Sequence, residues 1–370
     1  MKKHDDANER IKRQYLIFLR EAKGQSEATI DAVAKSLKRF EEHTKFRDFK
    51  SFHFEQARAF KRKLSEQNAQ RSGEKLSKSS LHSTLNHLKS FFQWLSMQRN
   101  YKSKIHYTDT DYFNLSEKDT RIAKARRQKR VPTMEQIKHV INVMPNQSEI
   151  EQRDRALIAF TLLTGARDGA IASIKLKHIN LVGGYVEQDA REVNTKYSKT
   201  FRTYFFPVGD EIREILTDWV KYLREEQLWG NDDPLFPATM VGQGPDKQFG
   251  PIGLERKNWR TTSPIRKIFR EAFELAGLEY FKPHSFRDSL AILGEKICPN
   301  IEWFKAWSQN LGHEKMLTTL VSYGEVPAHR QGEIIRDLVK DQESIPDENS
   351  ADDDIIKRLR EAGFSISRNK

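Results

Sequence analysis

The sequence predicts a mainly α-helical protein with a small β-sheet, divided into two domains. Its 370 residues exceed the usual length of one domain. Apolar residues recur at helical spacing through the first third and again after residue 132, whereas residues 183–208 contain an alternating pattern typical of strands. We expect a helical domain at residues 1–116, a linker at 117–131, a larger domain at 132–336 and a tail at 337–370.

The first domain is predicted to contain three helices, near residues 26–45, 54–68 and 81–95. Each has apolar residues at intervals of three or four, such as Ile30, Val33 and Leu37 in the first helix, for which Ser26 is a suitable N-cap. Three short helices must bury their apolar faces against one another, so these stripes are interpreted as a core.

Positive charge is concentrated in this part of the chain. Residues 1–131 contain 31 Lys and Arg against 16 Asp and Glu, a net charge of +15. The remaining residues have a net charge of −3, which gives +12 for the whole chain. Such a segment favours a polyanionic partner, most simply nucleic acid, although a solvated surface is the alternative. The candidate DNA-binding residues on the polar helix faces are Lys35, Lys38, Arg39, Arg58, Arg62 and Lys89.

The linker, 117–131, is rich in charge and ends in a basic run. The cations of this basic run are Arg126, Arg127, Lys129 and Arg130. We interpret this run as a strap along a phosphate backbone, with a solvated tether as the alternative.

Several classes of protein are disfavoured by composition. No apolar run approaches 18 residues, so no membrane span is expected, and the N-terminus lacks the apolar stretch of a signal peptide. Cys298 is the only cysteine, which excludes an intrachain disulfide and a cysteine zinc site. A reducing cytoplasm is the expected location.

The larger domain is predicted to alternate between helices and one hairpin. Thr133 is a good N-cap for a helix within residues 132–145. A second, strongly apolar helical stretch over residues 151–181 is interrupted at Thr164 and Gly165. The alternating segment predicts a hairpin with its turn near Tyr197 and Ser198. Further helices are expected at 209–228, 262–277, 284–297 and 301–311, with a Gly- and Pro-rich loop at 236–253 and an acidic tail at the end.

Two arginines lie where folding does not require them. Arg167 follows the Gly165 break, either as a functional group or paired with Asp154 or Asp168. His284 and Arg287 are three residues apart at a predicted helix start, a suitable place to bind a phosphate. The alternative is a capping histidine beside a surface arginine.

Two further segments add polar groups. His313 follows a Leu-Gly pair and precedes Tyr323, while Lys196 and Lys199 lie at the hairpin tip. Each alone is an ordinary turn or solvent-exposed residue. Taken together, two arginines, two histidines, a lysine and a tyrosine suit phosphate chemistry without metal, because arginine forks neutralise phosphorane charge and a tyrosine hydroxyl is a nucleophile when assisted.

The ordered motifs TGAR, hairpin lysine, HSFR, LGH and Tyr resemble those of the tyrosine recombinase (phage integrase) family. The resemblance covers residues 130–330, and the N-terminal helical domain is similar to the SAM-like core-binding domain of that family. It implies a two-domain, C-shaped clamp that cleaves and rejoins DNA with no cofactor, neither metal nor ATP.

The resemblance also implies a catalytic set: Arg167, Lys196, His284, Arg287, His313 and Tyr323. In this set Tyr323 attacks the scissile phosphate and forms a 3′-phosphotyrosyl bond. The two arginines hold the non-bridging oxygens, Lys196 protonates the leaving 5′-oxygen and His313 donates to the phosphate. His284 acts as a base or a positioning group.

The implied partners are double-stranded DNA with inverted-repeat core sites and further copies of the chain. Family members form a dimer on one site and a tetramer in synapsis, exchange strands through a Holliday junction, and can exchange C-terminal tails between subunits. The expected role is that of an integrase or transposase of a mobile element, acting at the bacterial nucleoid. Alternatives are a type IB topoisomerase-like enzyme or resolvase, a non-catalytic DNA-binding regulator, and a metal-dependent nuclease.

The sequence departs from the family pattern in three places. Ten residues separate His313 from Tyr323 instead of nine, which predicts an irregular backbone between Met316 and Ser322. Asp288 stands where many members have histidine, and it is a candidate to brace Arg287. Lys196 matches the position of the family lysine best, with Lys199 as the alternative.

Overall fold

A computed structural model describes residues 4–68, 73–125, 130–243 and 247–313. The chain divides into two compact units, Met1–Arg127 and Gln128–Lys370, each with its own hydrophobic core. Within the described ranges, no helix combines the length and apolar character needed to span a membrane.

Among its described residues, the first unit has five α-helices, of which the first four bury one apolar face each. They are α1 (Asp6–Glu21), α2 (Glu27–Thr44), α3 (Phe54–Glu66), α4 (Lys78–Ser96) and α5 (Glu117–Lys124). The structure confirms the three predicted helices as α2, α3 and α4, and the Ser26 side chain caps α2 by accepting from the Thr29 N–H. Phe40, Phe60 and Phe92 are buried at the centre of this unit.

Helix α1 was not among the predicted helices. Its buried residues Ile11, Tyr15 and Leu19 are spaced by four, so they form one stripe along the helix. Asn8, also buried, donates to the Arg47 carbonyl and accepts from the Phe49 N–H, which ties α1 to the segment between α2 and α3. The signal is weak in the sequence because residues 15–19 are all apolar, so the helical spacing of the buried positions does not stand out there.

The prediction of a linker is wrong for its first half. Residues 117–124 form helix α5, capped by Ser116 and packed beside α4, with an ion pair of 2.9 Å between Lys78 and Asp119. None of its residues is buried, which explains why the sequence showed no apolar period. The basic residues Arg126, Arg127 and Lys129 lie outside the described residues, and Arg130 is exposed.

The second unit surrounds one buried helix. Its helices are α6 (Met134–Val143), α7 (Glu149–Thr164), α8 (Asp168–Ile171), α9 (Asp210–Lys221), α10 (Ser263–Leu275), α11 (Pro283–Ile297) and α12 (Ile301–Asn310). Every residue of α7 from Ala156 to Thr164 is buried, as its continuous apolar sequence predicts. Thr133 caps α6 and Pro283 occupies the first turn of α11, both as predicted.

The three-stranded sheet corrects the predicted hairpin. Strands β1 (Ile179–Asn180), β2 (Tyr185–Gln188) and β3 (Phe201–Tyr204) are antiparallel in the order β1-β2-β3. The arms of the hairpin are β2 and β3, with Tyr185 opposite Tyr204, so residues 189–200 form a long connection. The turn at Lys196–Ser198 lies within this connection, and Tyr197 and Ser198 there have positive φ angles.

The predicted loop at 236–253 instead contains most of a second hairpin. Strands β4 (Ala238–Gln243) and β5 (Phe249–Glu255) pair in antiparallel fashion, with a bulge between Met240 and Val241. The base of the hairpin is held by α7. Glu149 accepts from the Leu254 N–H over 3.0 Å, and buried Arg153 donates to the Thr239 hydroxyl over 2.8 Å.

Candidate active site

Two helices that end in glycine form the base of the site. Helix α7 ends at Gly165, which has a φ of +58° and donates its N–H to the Thr161 carbonyl. Helix α12 ends at Gly312, with a φ of +70°, and the N–H groups of Gly312 and His313 donate to the Gln309 and Ser308 carbonyls. The second pattern is a Schellman motif, which fixes the backbone of His313 relative to its helix.

The two glycine turns are in contact. Leu311 is fully buried, and a Cβ built on Gly165 would lie 3.0 Å from its Cδ2 atom and 3.1 Å from Cδ1 of Leu290. The turn that precedes Arg167 therefore packs closely against the turn that precedes His313. A side chain at position 165 would push the two apart.

Arg287 connects these turns by hydrogen bonds. It projects from α11, is 4% exposed, and donates from Nη1 to the Gly165 carbonyl and from Nη2 to the Leu311 carbonyl. Its Nη2 also lies 3.3 Å from Nε2 of His313. Hydrogen bonds to a charged group contribute about 1.5–3 kcal/mol each, so Arg287 both stabilises the site and supplies positive charge to it.

His313 is neutral at physiological pH. Burial lowers its pKa to about 4, and electrostatic interactions with Arg287, Arg167, His284 and Lys196 act in the same direction. A guanidinium only donates, so Nε2 of His313 accepts from Arg287 and the ring proton lies on Nδ1. Groups from three separated segments of the sequence, at Arg167, at Lys196 and at His284 with Arg287, therefore act on the His313 ring.

Arg167 and Lys196 approach the site from α8 and from the β2–β3 connection. Arg167 is the N-cap residue of α8 and is half-buried, and burial lowers its pKa below the ordinary value. Lys196 is exposed, with Nζ 4.8 Å from the ring centroid of Tyr197. The connection is held near α8 because the Asn194 N–H donates to the Ser173 hydroxyl over 2.8 Å.

The acids considered as partners of Arg167 pair elsewhere. Asp168 forms an ion pair of 2.7 Å with Arg266, and Asp154 one of 2.6 Å with Arg153. Among the described residues, no ion pair joins Arg167 to a carboxylate. This arrangement supports the functional interpretation of Arg167 over the structural one.

The structure thus brings together Arg167, Lys196, His284, Arg287 and His313, with His284 exposed at the start of α11. Tyr323, and the irregularity predicted between Met316 and Ser322, lie outside the described residues.

The Phage integrase family matches residues 130–326, more than half of the chain, and the N-terminal SAM-like domain of phage integrases matches residues 13–99. This chain belongs to the phage integrase family. It is a tyrosine recombinase, an enzyme that cleaves and rejoins DNA at specific sites. The family match includes Tyr323 as well as the five residues gathered in the described site.

Solved structures of recombinases share the fold at low sequence identity. A lambda integrase(75-356) dimer bound to a COC' core site has a TM-score of 0.59 at 14% identity, covering 86% of this chain and 96% of that one. XerH bound to palindromic difH substrate in a post-cleavage complex has a TM-score of 0.59 at 18% identity, covering 88% and 84%. The Tn1549 transposon integrase in complex with transposon right end DNA has a TM-score of 0.54 at 13% identity, covering 89% and 99%. No protein with a curated description matches the sequence.

The SAM-like unit of the recombinase exposes most of the predicted DNA-binding residues. Lys35, Lys38 and Arg39 are exposed along α2, and Arg58 and Arg62 along α3. The two arginines line a cavity of about 440 Å³ together with Lys61 and Lys78, which the sequence interpretation did not select.

Lys89 differs from the other candidates. It is half-buried, forms an ion pair of 2.8 Å with Asp111 and donates to the Asn114 side chain. Its charge is already compensated within the unit, so it is the weakest of the predicted DNA contacts.

Proposed function

We propose that this recombinase exchanges DNA strands through a covalent 3′-phosphotyrosyl intermediate formed by Tyr323, as an integrase or transposase of a mobile element. The observation that carries the proposal is that Arg287 joins by hydrogen bonds the turns that lead into Arg167 and His313, beside a His313 ring whose pKa is lowered by burial and by Arg287, Arg167 and Lys196 among its neighbours. Such a cluster suits a phosphate that gains negative charge in the transition state. No described carboxylate pairs with Arg167, so its guanidinium is a suitable ligand for the phosphate.

The proposed chemistry is a transesterification in each direction. The Tyr323 oxygen attacks phosphorus, its proton passes to a base for which His284 is the candidate, and the bond from phosphorus to the 5′-oxygen breaks. Lys196 gives a proton to that oxygen, while Arg167 and Arg287 balance the charge of the non-bridging oxygens. A 5′-hydroxyl of the partner strand then attacks the phosphotyrosyl bond and releases Tyr323.

The role of Lys196 is favoured over that of Lys199 by electrostatics. The charge of Lys196 is among the causes that lower the His313 pKa, which supports Lys196 as the lysine of the site. A flexible lysine on an exposed turn is a suitable acid, because it can follow the leaving oxygen.

For His313, the ring proton is on Nδ1 when Nε2 accepts from Arg287. We propose that this N–H donates to the phosphate. A neutral imidazole can make that bond without adding a proton to the site.

The proposed partners are inverted-repeat DNA core sites and other copies of the chain. One neighbour is a lambda integrase dimer on a core site and another is a lambda integrase tetramer bound to a Holliday junction. By analogy, this chain assembles as a dimer on each site and as a tetramer in synapsis, at the bacterial nucleoid. The tail at 337–370 lies outside the described residues, and its exchange between subunits stays a prediction.

The nucleophile is tested with a nicked suicide substrate that carries the ends of the element. We expect Tyr323→Phe to form no covalent protein–DNA adduct while its dissociation constant for DNA is unchanged. The matched control is Tyr197→Phe, because Tyr197 is an exposed tyrosine next to Lys196 and is the rival nucleophile on geometric grounds.

The control should retain the adduct, and peptide mapping should find the DNA on Tyr323. Adducts that persist in Tyr323→Phe and vanish in Tyr197→Phe would contradict the assignment. A wild-type chain that binds DNA but never forms an adduct would indicate a non-catalytic regulator, and relaxation of plasmids without a specific site would indicate a topoisomerase-like enzyme.

A further inference from the structure

A side chain from α12 covers the free edge of the three-stranded sheet. Within the described residues, strand β3 is at the edge of the sheet, and its outer side pairs with no further strand. The Tyr204 N–H donates to Oδ1 of Asn310 over 2.7 Å, and Nδ2 of Asn310 donates to the Tyr204 carbonyl over 2.9 Å. The amide of Asn310 thus makes both hydrogen bonds that a paired strand residue would make.

A second contact fixes the backbone of the same residue. The Thr203 hydroxyl donates to the Asn310 carbonyl over 3.1 Å, and buried Gln188 donates to the Thr203 hydroxyl over 3.0 Å. Asparagine suits this position because its side chain carries a donor and an acceptor on a short stem. Alanine provides neither, and glutamine places both one methylene further away.

The hydrogen bonds of Asn310 with Tyr204 and Thr203, here called the clamp, join two parts of the proposed site. Asn310 directly precedes the turn of Leu311, Gly312 and His313, and β3 begins five residues after Lys196. Gly312 lies against the ring of Phe201, since a Cβ on Gly312 would be 2.8 Å from that ring. The His313 turn is therefore held to the sheet by Asn310 and to helix α11 by Arg287.

We propose that Asn310 is a positioning residue that holds the His313 turn against the strand leading from Lys196. It acts through His313 and touches no reacting atom. The consequence for cleavage rests on the proposed function, whereas the consequence for the His313 environment does not.

The test compares Asn310→Ala with the wild-type full-length chain by two measurements. The first is an NMR titration of the His313 ring, assigned by its loss in His313→Gln. We expect the pKa to rise from about 4 toward the ordinary value, because a loosened turn exposes the ring to water and moves it from Arg287. The second is the single-turnover cleavage rate on a suicide substrate, which we expect to fall about 10- to 100-fold at an unchanged dissociation constant for DNA.

Asn300→Ala is the matched control. Asn300 caps the opposite end of α12 by accepting from the Trp303 N–H over 3.0 Å, so its loss weakens the same helix without touching the clamp. We expect the control to lower the unfolding midpoint and to keep the wild-type His313 pKa and cleavage rate. Asn310→Gln provides a second variant with the amide retained, and it should change both quantities in the same direction as Asn310→Ala.

Wild-type titration and cleavage in both Asn310 variants would overturn the proposal. An equal shift of the His313 pKa in Asn300→Ala would also overturn it, since the effect would then come from general loosening of α12. If the wild-type chain forms no adduct with DNA, the proposed function fails, and the titration alone decides whether Asn310 positions His313.

Discussion

At the scale of single residues, His313 links the stability of the second unit to pH. Its pKa is about 4 in the folded chain and about 6.5 when unfolded. Between these values the unfolded chain binds a proton that the folded chain does not, so the free energy of unfolding is highest above pH 7 and decreases as the pH falls from 6.5 to 4. One pKa unit corresponds to about 1.4 kcal/mol, and partial exposure reduces this, so we expect a loss of about 1–2 kcal/mol.

The measurement is urea denaturation from pH 7.5 to pH 4, comparing wild type with His313→Gln, which cannot titrate. The wild-type midpoint should fall more steeply than that of the variant. His106→Gln, at an exposed histidine of the first unit, should keep the wild-type dependence. Parallel curves for wild type and His313→Gln would contradict the prediction.

The residues of the site differ in how much the sequence could predict. Arg167, His284, Arg287 and His313 lie in short motifs beside a glycine or a proline, so local sequence identifies them. The contact of Asn310 with Tyr204 joins residues 106 positions apart, and no local pattern marks it. The burial of Arg287 was also not predictable, because its partners are backbone carbonyls of distant turns.

At the scale of elements, glycine turns decide where helices stop and where the site begins. Gly312 and Gly277 both follow helices in Schellman motifs, with φ angles of +70° and +67°. A side chain on Gly277 would meet nothing within 4 Å, whereas one on Gly312 would meet the Phe201 ring at 2.8 Å. The two positions therefore separate the cost of the backbone angle from the cost of a collision.

We expect Gly277→Ala to lower the free energy of unfolding by about 1–2 kcal/mol, the cost of a left-handed residue with a Cβ. Gly312→Ala should lower the free energy of unfolding by more than this, because Phe201 or the turn must move to make room for the Cβ. The same movement should slow DNA cleavage. Thermal denaturation and suicide-substrate cleavage of both variants measure the difference. Equal stability and full cleavage in Gly312→Ala would show that the contact with Phe201 does not constrain the turn.

Elements with local signals were predictable, and those held by distant contacts were not. Ser26, Thr133 and Pro283 mark helix starts in the sequence, and each does so in the structure. Strands β4 and β5 are rich in glycine and proline, and their hairpin is held by Glu149, 105 residues before Leu254. Helix propensity and turn composition do not record such a contact.

At the scale of the whole molecule, charge is divided between the two units. The +15 charge of residues 1–131 and the exposed cations of α2 and α3 favour the SAM-like unit as the main source of non-specific DNA affinity. The sequence of the catalytic unit carries no net positive charge, and this unit instead has a group of cations around His313. Binding and chemistry are thus expected to respond differently to salt.

The double variant Arg58→Ala with Arg62→Ala tests this division. Each phosphate contact contributes about 0.9 to the slope of log affinity against log salt, so loss of both arginines should reduce that slope by about 1.8. Lys89→Ala is the matched control, because Lys89 is paired with Asp111 and has little charge to offer DNA. Fluorescence anisotropy over a salt series measures the slopes. If Lys89→Ala reduces the slope as much as the double variant, or the double variant leaves it unchanged, the DNA lies on a different face of this unit.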